Sequence, residues 1–259
     1  VGKTYSSVET LLADTEINAV YIATLPYLHK QQTIQALKTG RPVYVEKPMA
    51  MTYAECKEMA EVAKQTGQKL FVAYYSRALP YFIKVKEIIE SGAIGKPLSA
   101  NLKQFFSAFE SDKQEETHTW RIKPEMSGGG YFHDLAPHAL DILDFILGEI
   151  KDIKGFSANL EGFYQTEDTI ACAFQFASGV VGTASWSFVT EKKNNTNAIE
   201  IIGTKGKVSF SMFDFTPIIL ITQKGFLQFE TQQPEHIQQP FIETIVAEIN
   251  GKGICSSTI

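Results

Sequence analysis

The chain has 259 residues, 44% of them hydrophobic and 20% charged, with 18 glycines and 10 prolines. That is the average profile of a soluble globular protein, and it excludes a disordered, collagen-like or coiled-coil chain. No apolar run approaches the roughly 20 residues that span a bilayer, since the longest, at 140–147, is interrupted by Asp141 and Asp144, so no membrane partner is expected. A net charge of −5 without clustered Lys and Arg argues against a nucleic-acid partner. Cys56, Cys172 and Cys255 are far apart and form no C-x-x-C pair, which points to a reducing, cytoplasmic setting rather than a disulfide framework or a zinc ribbon.

Residues 1–5 carry no initiator Met and no signal-peptide pattern, so the chain reads as opening in mid-domain, and its last residues read as cut as well. From residue 19 apolar strands alternate with helices. A β-branched run at 19–23 ends in turn residues at 24–26, and a helix over 28–39 stops at Gly40. A second strand at 42–46 is broken by Pro48. Thr52, with Glu55 three residues on, predicts the capped start of a helix that runs to Gly67. A third strand at 70–73 precedes a helix over 80–90. Strands spaced by helices of this length predict parallel βαβ units with right-handed crossovers.

Past Gly95 the chain becomes strand-rich, with candidates at 98–106, 153–159, 169–176, 180–188, 198–202, 207–210, 218–221 and 226–229. Ala177-Ser178-Gly179 and Thr204-Lys205-Gly206 are connections short enough to link antiparallel neighbours. One helix, over 135–147 and closed by Gly148, is apolar nearly all round and is predicted to be buried against this sheet. A last helix spans 239–250. The fold class is therefore α/β: a partial dinucleotide-binding, Rossmann-type parallel-sheet domain over 1–92, then an α+β domain with an open, mainly antiparallel sheet over 93–259. Such a sheet, with helices on one face, leaves its other face for a second copy of the chain. The alternating Val, Trp and Phe residues of 180–188 fit either that second face or the chain's own core.

The densest reactive cluster holds His118, His133 and His138 beside Trp120, Arg121, Gly128-Gly129-Gly130 and Asp134. Asp134 and His138 are four apart, so a helix starting near Asp134 projects both from one face, where a carboxylate can orient an imidazole that acts as a base on a hydroxyl. The same spacing also fits Asp134 as a helix N-cap and His138 as a core histidine. A zinc protease is excluded because the residue four after His133 is Pro137. A metal site on Asp134, His138 and remote ligands is the lesser alternative, and no metal is expected. The triple glycine lacks the strand and spacing of a dinucleotide fingerprint and reads as a flexible approach to the helix. Glu46-Lys47-Pro48 closes a predicted parallel strand, at the edge where open α/β sheets place their ligands. A lysine there can hydrogen-bond a substrate hydroxyl and stabilise a developing alkoxide, or can simply pair with Glu46 at a turn. Thr24, Pro26 and His29 hold the same edge one unit earlier.

Taken together, Ala23-Thr24-Leu25-Pro26-Tyr27-Leu28-His29, then Glu46-Lys47-Pro48, then Gly129-Gly130 leading to Asp134 and His138, resemble the Gfo/Idh/MocA oxidoreductase family. The resemblance implies hydride transfer between NAD or NADP and a hydroxyl or carbonyl carbon of a sugar, cyclitol or related small molecule. It implies Lys47, Asp134 and His138 as catalytic residues, with Lys47 and His138 converging on one alcohol oxygen. Thr24, Leu25, Pro26, His29, Glu46, Lys47 and Tyr75 would line the cofactor, and Lys47, Arg77, Trp120, Arg121, Asp134 and His138 the substrate. It further implies a homo-oligomer through the C-terminal sheet. Leu25, Tyr75 and the segment Leu135-Ala136-Pro137 depart from the family's usual residues. The first strand, glycine-rich turn and ribose-reading acid of the family are expected upstream of Val1. An NAD-dependent glycoside hydrolase of the same fold and a non-catalytic ligand sensor are the alternative functions.

Overall fold

Three short runs of β-branched and aromatic residues build a parallel sheet: β1 (Val20–Ile22), β2 (Val43–Val45) and β3 (Leu70–Val72), in that order. Val20 sits opposite Val43, and Val43 opposite Leu70. The computed structural model describes residues 2–259. α1 (Val8–Ala13) precedes the sheet, and α2 (Pro26–Lys38) and α3 (Tyr53–Thr66) are its crossovers. α3 is bounded as its sequence predicts. The Thr52 hydroxyl accepts from Glu55 N at 3.2 Å, and the helix ends at Gly67, whose φ of 67° is a left-handed conformation that costs a glycine little. Ile22, Leu37, Val43, Val45, Met59, Leu70 and Val72 form the core of this region.

The remaining elements are α4 (Pro80–Glu90), β4 (Pro97–Phe105), α5 (Pro124–Ser127), α6 (Tyr131–Leu147), β5 (Ile150–Ala158), β6 (Thr169–Phe176), β7 (Val181–Ser187), β8 (Thr196–Gly203), β9 (Gly206–Phe210), β10 (Ile218–Thr222), β11 (Gly225–Phe229) and α7 (Gln239–Ile249). The eight later strands make one sheet in the order β11-β10-β9-β8-β4-β7-β6-β5. Only the β4–β7 pairing is parallel. The parallel sheet followed by a mainly antiparallel one is the architecture expected from the sequence.

The chain packs as two units. One takes in the chain up to Tyr74, Glu125–Gly128 and Ile242–Ile259, and the other Tyr75–Pro124 and Gly129–Phe241. The division falls at 74/75 rather than at the expected 92/93, because Phe82, Val85 and Ile88 of α4 join the core of the second unit beside α6 and the large sheet. The C-terminal segment also departs from the simple two-part split. It returns to the first unit, where Thr258 bridges Phe71, Ile259 N donates to Leu70 O at 3.0 Å, and Lys69 pairs with Glu248 at 2.8 Å.

Within the second unit α6 covers one face of the large sheet. Trp186 is fully buried on that face, edge-to-face with Phe132 of α6 at 5.1 Å, and Phe188 is buried too. These aromatics therefore belong to the chain's own core. The outward residues of β7 are Val181 and Thr183, and across the sheet Phe156 of edge strand β5 is 88% exposed.

Candidate active site

Each unit carries a set of chemically capable side chains. In the first unit they lie on the loops that leave the carboxyl ends of β1 and β2. Thr24 is exposed and donates to Gln32 Oε1 at 2.7 Å; Leu25 is the N-cap of α2, and Pro26 is its buried first residue. Glu46 accepts the Tyr21 hydroxyl on Oε1 at 2.5 Å and the Lys47 amide on Oε2 at 3.2 Å, while Tyr21 stacks on Tyr44 at 4.7 Å. Lys47 is half-buried and precedes a cis peptide bond to Pro48. His29 is buried, with Nδ1 2.9 Å from Pro48 O and Nε2 3.0 Å from Thr24 O. A neutral ring donates to one of these carbonyls in either tautomer. The imidazole thus ties the β1–α2 loop to the β2–α3 loop, and it contributes to this edge through the loops it holds.

In the second unit the chemistry stands on α6. Its N-cap is Gly130, so the helix starts four residues before the expected 135. Asp134 lies inside its first turns rather than capping it, one turn from His138. Both side chains are buried. Arg121 donates from Nε to Asp134 Oδ2 at 3.0 Å, and its guanidinium lies 4.6 Å over the Trp120 ring. The early start of α6 explains the triple glycine. A Cβ on Gly129 would sit 2.7 Å from His133 Cβ, and one on Gly130 would collide with the Thr166 hydroxyl. These glycines are close approaches rather than a flexible linker.

The Tyr131 hydroxyl donates to Asp112 Oδ1 at 2.9 Å, and Asp112 is wholly buried. Burial, and then this carboxylate, hold the Tyr131 phenol well above the usual tyrosine range, so it stays a neutral donor that pins the start of α6. Further along, Arg77 forks onto Asp141, with Nε 3.0 Å from both carboxylate oxygens and one terminal nitrogen 2.6 Å from Oδ1, and it reaches Asp144 at 3.4 Å. Burial raises the Asp141 carboxyl, Arg77 pulls it back, and the balance leaves it at about 6. The Arg77 guanidinium, expected to meet substrate, is thus paired to α6.

His138 itself lies edge-to-face between two rings, Tyr75 at 5.7 Å and 63°, and Phe213 at 5.7 Å and 85°. Tyr75 stands among the sequence candidates. Phe213 does not, because a lone aromatic between two strands has no pattern that sets it apart from core.

The first unit's residues suit one end of a dinucleotide. Its edge offers an apolar Leu25–Pro26 step at the end of β1 and a lysine at the end of β2, side-chain types that suit a nicotinamide. Its helix N-termini do not suit a pyrophosphate. α2 has proline at its first position, so one amide donor is missing, and the α3 terminus is closed by Thr52 and by Glu55, whose Oε2 accepts from Met51 N at 3.1 Å. No G-x-G-x-x-G occurs in the sequence.

Comparison with known proteins places the chain. A family profile described as an oxidoreductase family with NAD-binding Rossmann fold matches residues 1–74, and one described as a GFO/IDH/MocA C-terminal domain matches 82–209. Oxidoreductase P35 of Formosa agariphila is 36% identical over 243 residues, covering 93% of this chain and 74% of that protein. A 1,5-anhydro-D-fructose reductase of Ensifer adhaerens is 27% identical over 264 residues, covering all of this chain and 77% of that one. Among solved structures, an oxidoreductase from Thermotoga maritima superposes with a TM-score of 0.80 at 30% identity, over 94% of this chain and 72% of its own. The chain belongs to the Gfo/Idh/MocA family of oxidoreductases. Its family is one of NAD(P)-dependent enzymes, and both the Rossmann-type sheet expected from the order of strands and helices and the nicotinamide dinucleotide implied by the resemblance hold. Among the described residues no helix is long and apolar enough to cross a membrane.

Proposed function

We propose that this oxidoreductase moves a hydride between NAD(P) and a hydroxyl-bearing or carbonyl carbon of a small cyclic polyol, a sugar or cyclitol, with His138 as acid/base. The observation that supports this most is the state of His138: a buried imidazole between two aromatic rings, one helical turn from a carboxylate that Arg121 holds. The name of the Ensifer relative, a reductase of an anhydro sugar, supports the substrate class.

The dinucleotide, when bound, accepts or returns the hydride. Thr24, Leu25, Pro26, Glu46 and Lys47 are the residues that would hold its nicotinamide end. The Lys47 ammonium donates a hydrogen bond to the substrate oxygen and stabilises the negative charge that grows there. An imidazole nitrogen of His138 takes the hydroxyl proton in oxidation and gives it back in reduction. Asp134 stands one helical turn from that imidazole, and Arg121 fixes the carboxylate while extending a half-exposed cation toward substrate oxygens. Trp120, stacked under the guanidinium, limits its swing.

The test is turnover of a panel of sugars and cyclitols by the holoenzyme, followed by nicotinamide absorbance. Wild-type enzyme should give net nicotinamide reduction with at least one polyol. His138→Ala should lower kcat by about a hundredfold, as expected for loss of a general base. An unchanged rate would remove His138 from the chemistry. Assembly belongs to the same reading: the open face of the large sheet, with Val181 and Phe156 exposed, fits a second copy of this chain. Light scattering that gives a monomer mass at micromolar concentration would refute it.

A further inference from the structure

The loop between β9 and β10 has no part in the scheme above, yet it is among the most heavily anchored segments of the second unit. The Tyr81 hydroxyl donates to Thr216 O at 2.7 Å and accepts from Ser211 N at 3.0 Å. The Ser211 hydroxyl accepts from Thr216 N at 3.0 Å and from the Thr216 hydroxyl at 3.2 Å. Met212 N donates to Asn197 Oδ1 at 3.2 Å; the same oxygen takes Gln104 Nε2 at 3.3 Å, and Gln104 Oε1 takes the Trp186 indole N–H at 2.7 Å. Ser211, Gln104 and Trp186 are all buried. Phe215 is held at a φ of 47°, a left-handed conformation that a bulky residue adopts only under constraint, and its ring packs edge-to-face on Tyr81 at 5.4 Å and on Phe82 at 6.2 Å. This anchoring carries a single side chain to the imidazole of α6: Phe213, 5.7 Å from His138 and nearly perpendicular to it, with Phe106 6.5 Å from Phe213.

We infer that Phe213 is a positioning residue for the proposed base, and that the loop at 211–217 exists to hold its ring against His138. The inference rests on the acid/base reading of His138. An imidazole that turns over about its Cβ–Cγ bond exchanges the place of Nδ1 with that of Cδ2 and the place of Nε2 with that of Cε1, so only one of these orientations presents a nitrogen to a given substrate hydroxyl. Tyr75 packs on the ring edge-to-face, and Phe213 adds a second, nearly perpendicular aromatic contact that hinders this turn. The orientation is then favoured before substrate arrives, and less of its entropic cost is met at the transition state. The strained Phe215 and the serine–tyrosine–threonine network explain how a connection between two strands achieves this without a helix or a strand of its own.

The experiment reads the His138 ring directly, then the kinetics. The chain has five histidines, so the His138 signals in a spectrum of ¹⁵N-histidine-labelled full chain are assigned by their absence in His138→Ala. In the wild type the two ring nitrogens should give one sharp, ring-current-displaced pattern. Phe213→Ala should move and broaden that pattern, with no substrate present, and Phe213→Tyr should restore it. In the holoenzyme Phe213→Ala should lower kcat by about tenfold while KM shifts by less than about threefold, again with recovery in Phe213→Tyr. Should Phe213→Ala not fold, Ser211→Ala keeps the ring and loosens its loop, and it should broaden the same signals. Unchanged His138 signals in the folded variants, or a kcat equal to wild type, would overturn the inference. Its failure is separable from that of the catalytic reading: an inert His138→Ala condemns the base, whereas a dead His138→Ala beside an unaffected Phe213→Ala condemns only the positioning role.

Discussion

The two units present their chemistry in opposite ways. In the first, the capable residues stand on loops at the ends of three-residue strands, and one buried imidazole, His29, lies between a carbonyl of each loop and donates to one of them. In the second they stand on a helix of 17 residues, gripped along its length by Tyr131 on Asp112, Arg121 on Asp134, Arg77 on Asp141, and the rings around His138. A loop edge held by a few hydrogen bonds suits a region that must admit a large flexible ligand. A helix held at four points suits side chains that must keep a fixed position. The rigid half should therefore fail through lost stability and lost alignment together, and the loop half mainly through lost binding.

The largest effect expected from that contrast is at Arg77. Arg77→Met keeps the stem and removes the charge, leaving Asp141 buried without its partner, a loss of about 3 kcal/mol at neutral pH by analogy with other broken buried pairs. The sign of its pH dependence follows from Asp141. This carboxyl is raised to about 6 in the folded protein, above its ordinary value of 3.8. Its favourable contribution is complete below the unfolded value and is lost as pH rises through about 6. Without Arg77 the folded value climbs further, so the variant should be far more damaged at pH 8 than at pH 5. Urea unfolding at the two pH values measures this. Equal losses at both would mean that the Arg77–Asp141 fork is not what holds α6, and Asp141→Asn should flatten the profile of the wild type.

His29 gives the corresponding break in the loop half. Its imidazole is buried and faces two carbonyl oxygens, so His29→Leu leaves the one it donates to without a partner, a cost of about 1–3 kcal/mol. The rise in KM for the dinucleotide should exceed the fall in kcat, because the loops that carry Thr24 and Lys47 lose their common tie. A variant with kcat lowered and KM intact would place His29 with the chemistry itself and would erase the distinction between the halves.

How much of this could be read in advance follows the same line. Thr52, Glu55 and Gly67 bound α3 through local chemistry alone, and the order of strand and helix through residue 72 sets Lys47 just past the carboxyl end of β2. Asp134 and His138 were legible as a pair because four residues is a helical spacing. Their surroundings were not. Arg77 meets Asp141 from 64 residues away, and Phe213 meets His138 from the loop between β9 and β10, contacts that no local pattern encodes. The triple glycine misled for a related reason: the composition suggests flexibility, whereas the need for Gly130 comes from Thr166, which lies on the connection between β5 and β6. The domain boundary moved because α4 satisfies its apolar face on the second core, a choice made by tertiary packing among two available partners.

The smallest predicted effect is the control on the whole comparison. Thr52→Ala removes the hydroxyl that accepts from Glu55 N, a cap of the kind that contributes about 1 kcal/mol. Unlike the helix of the second unit, α3 is fixed at this end by its own sequence, so the loss should be confined to stability, seen as a modest fall in the midpoint of urea unfolding. Dinucleotide KM and kcat should both stay within about twofold of wild type, since no residue of the proposed site leans on the Thr52 hydroxyl. A larger kinetic change would show that the α3 terminus, and the Glu55 carboxylate beside it, feel the ligand after all.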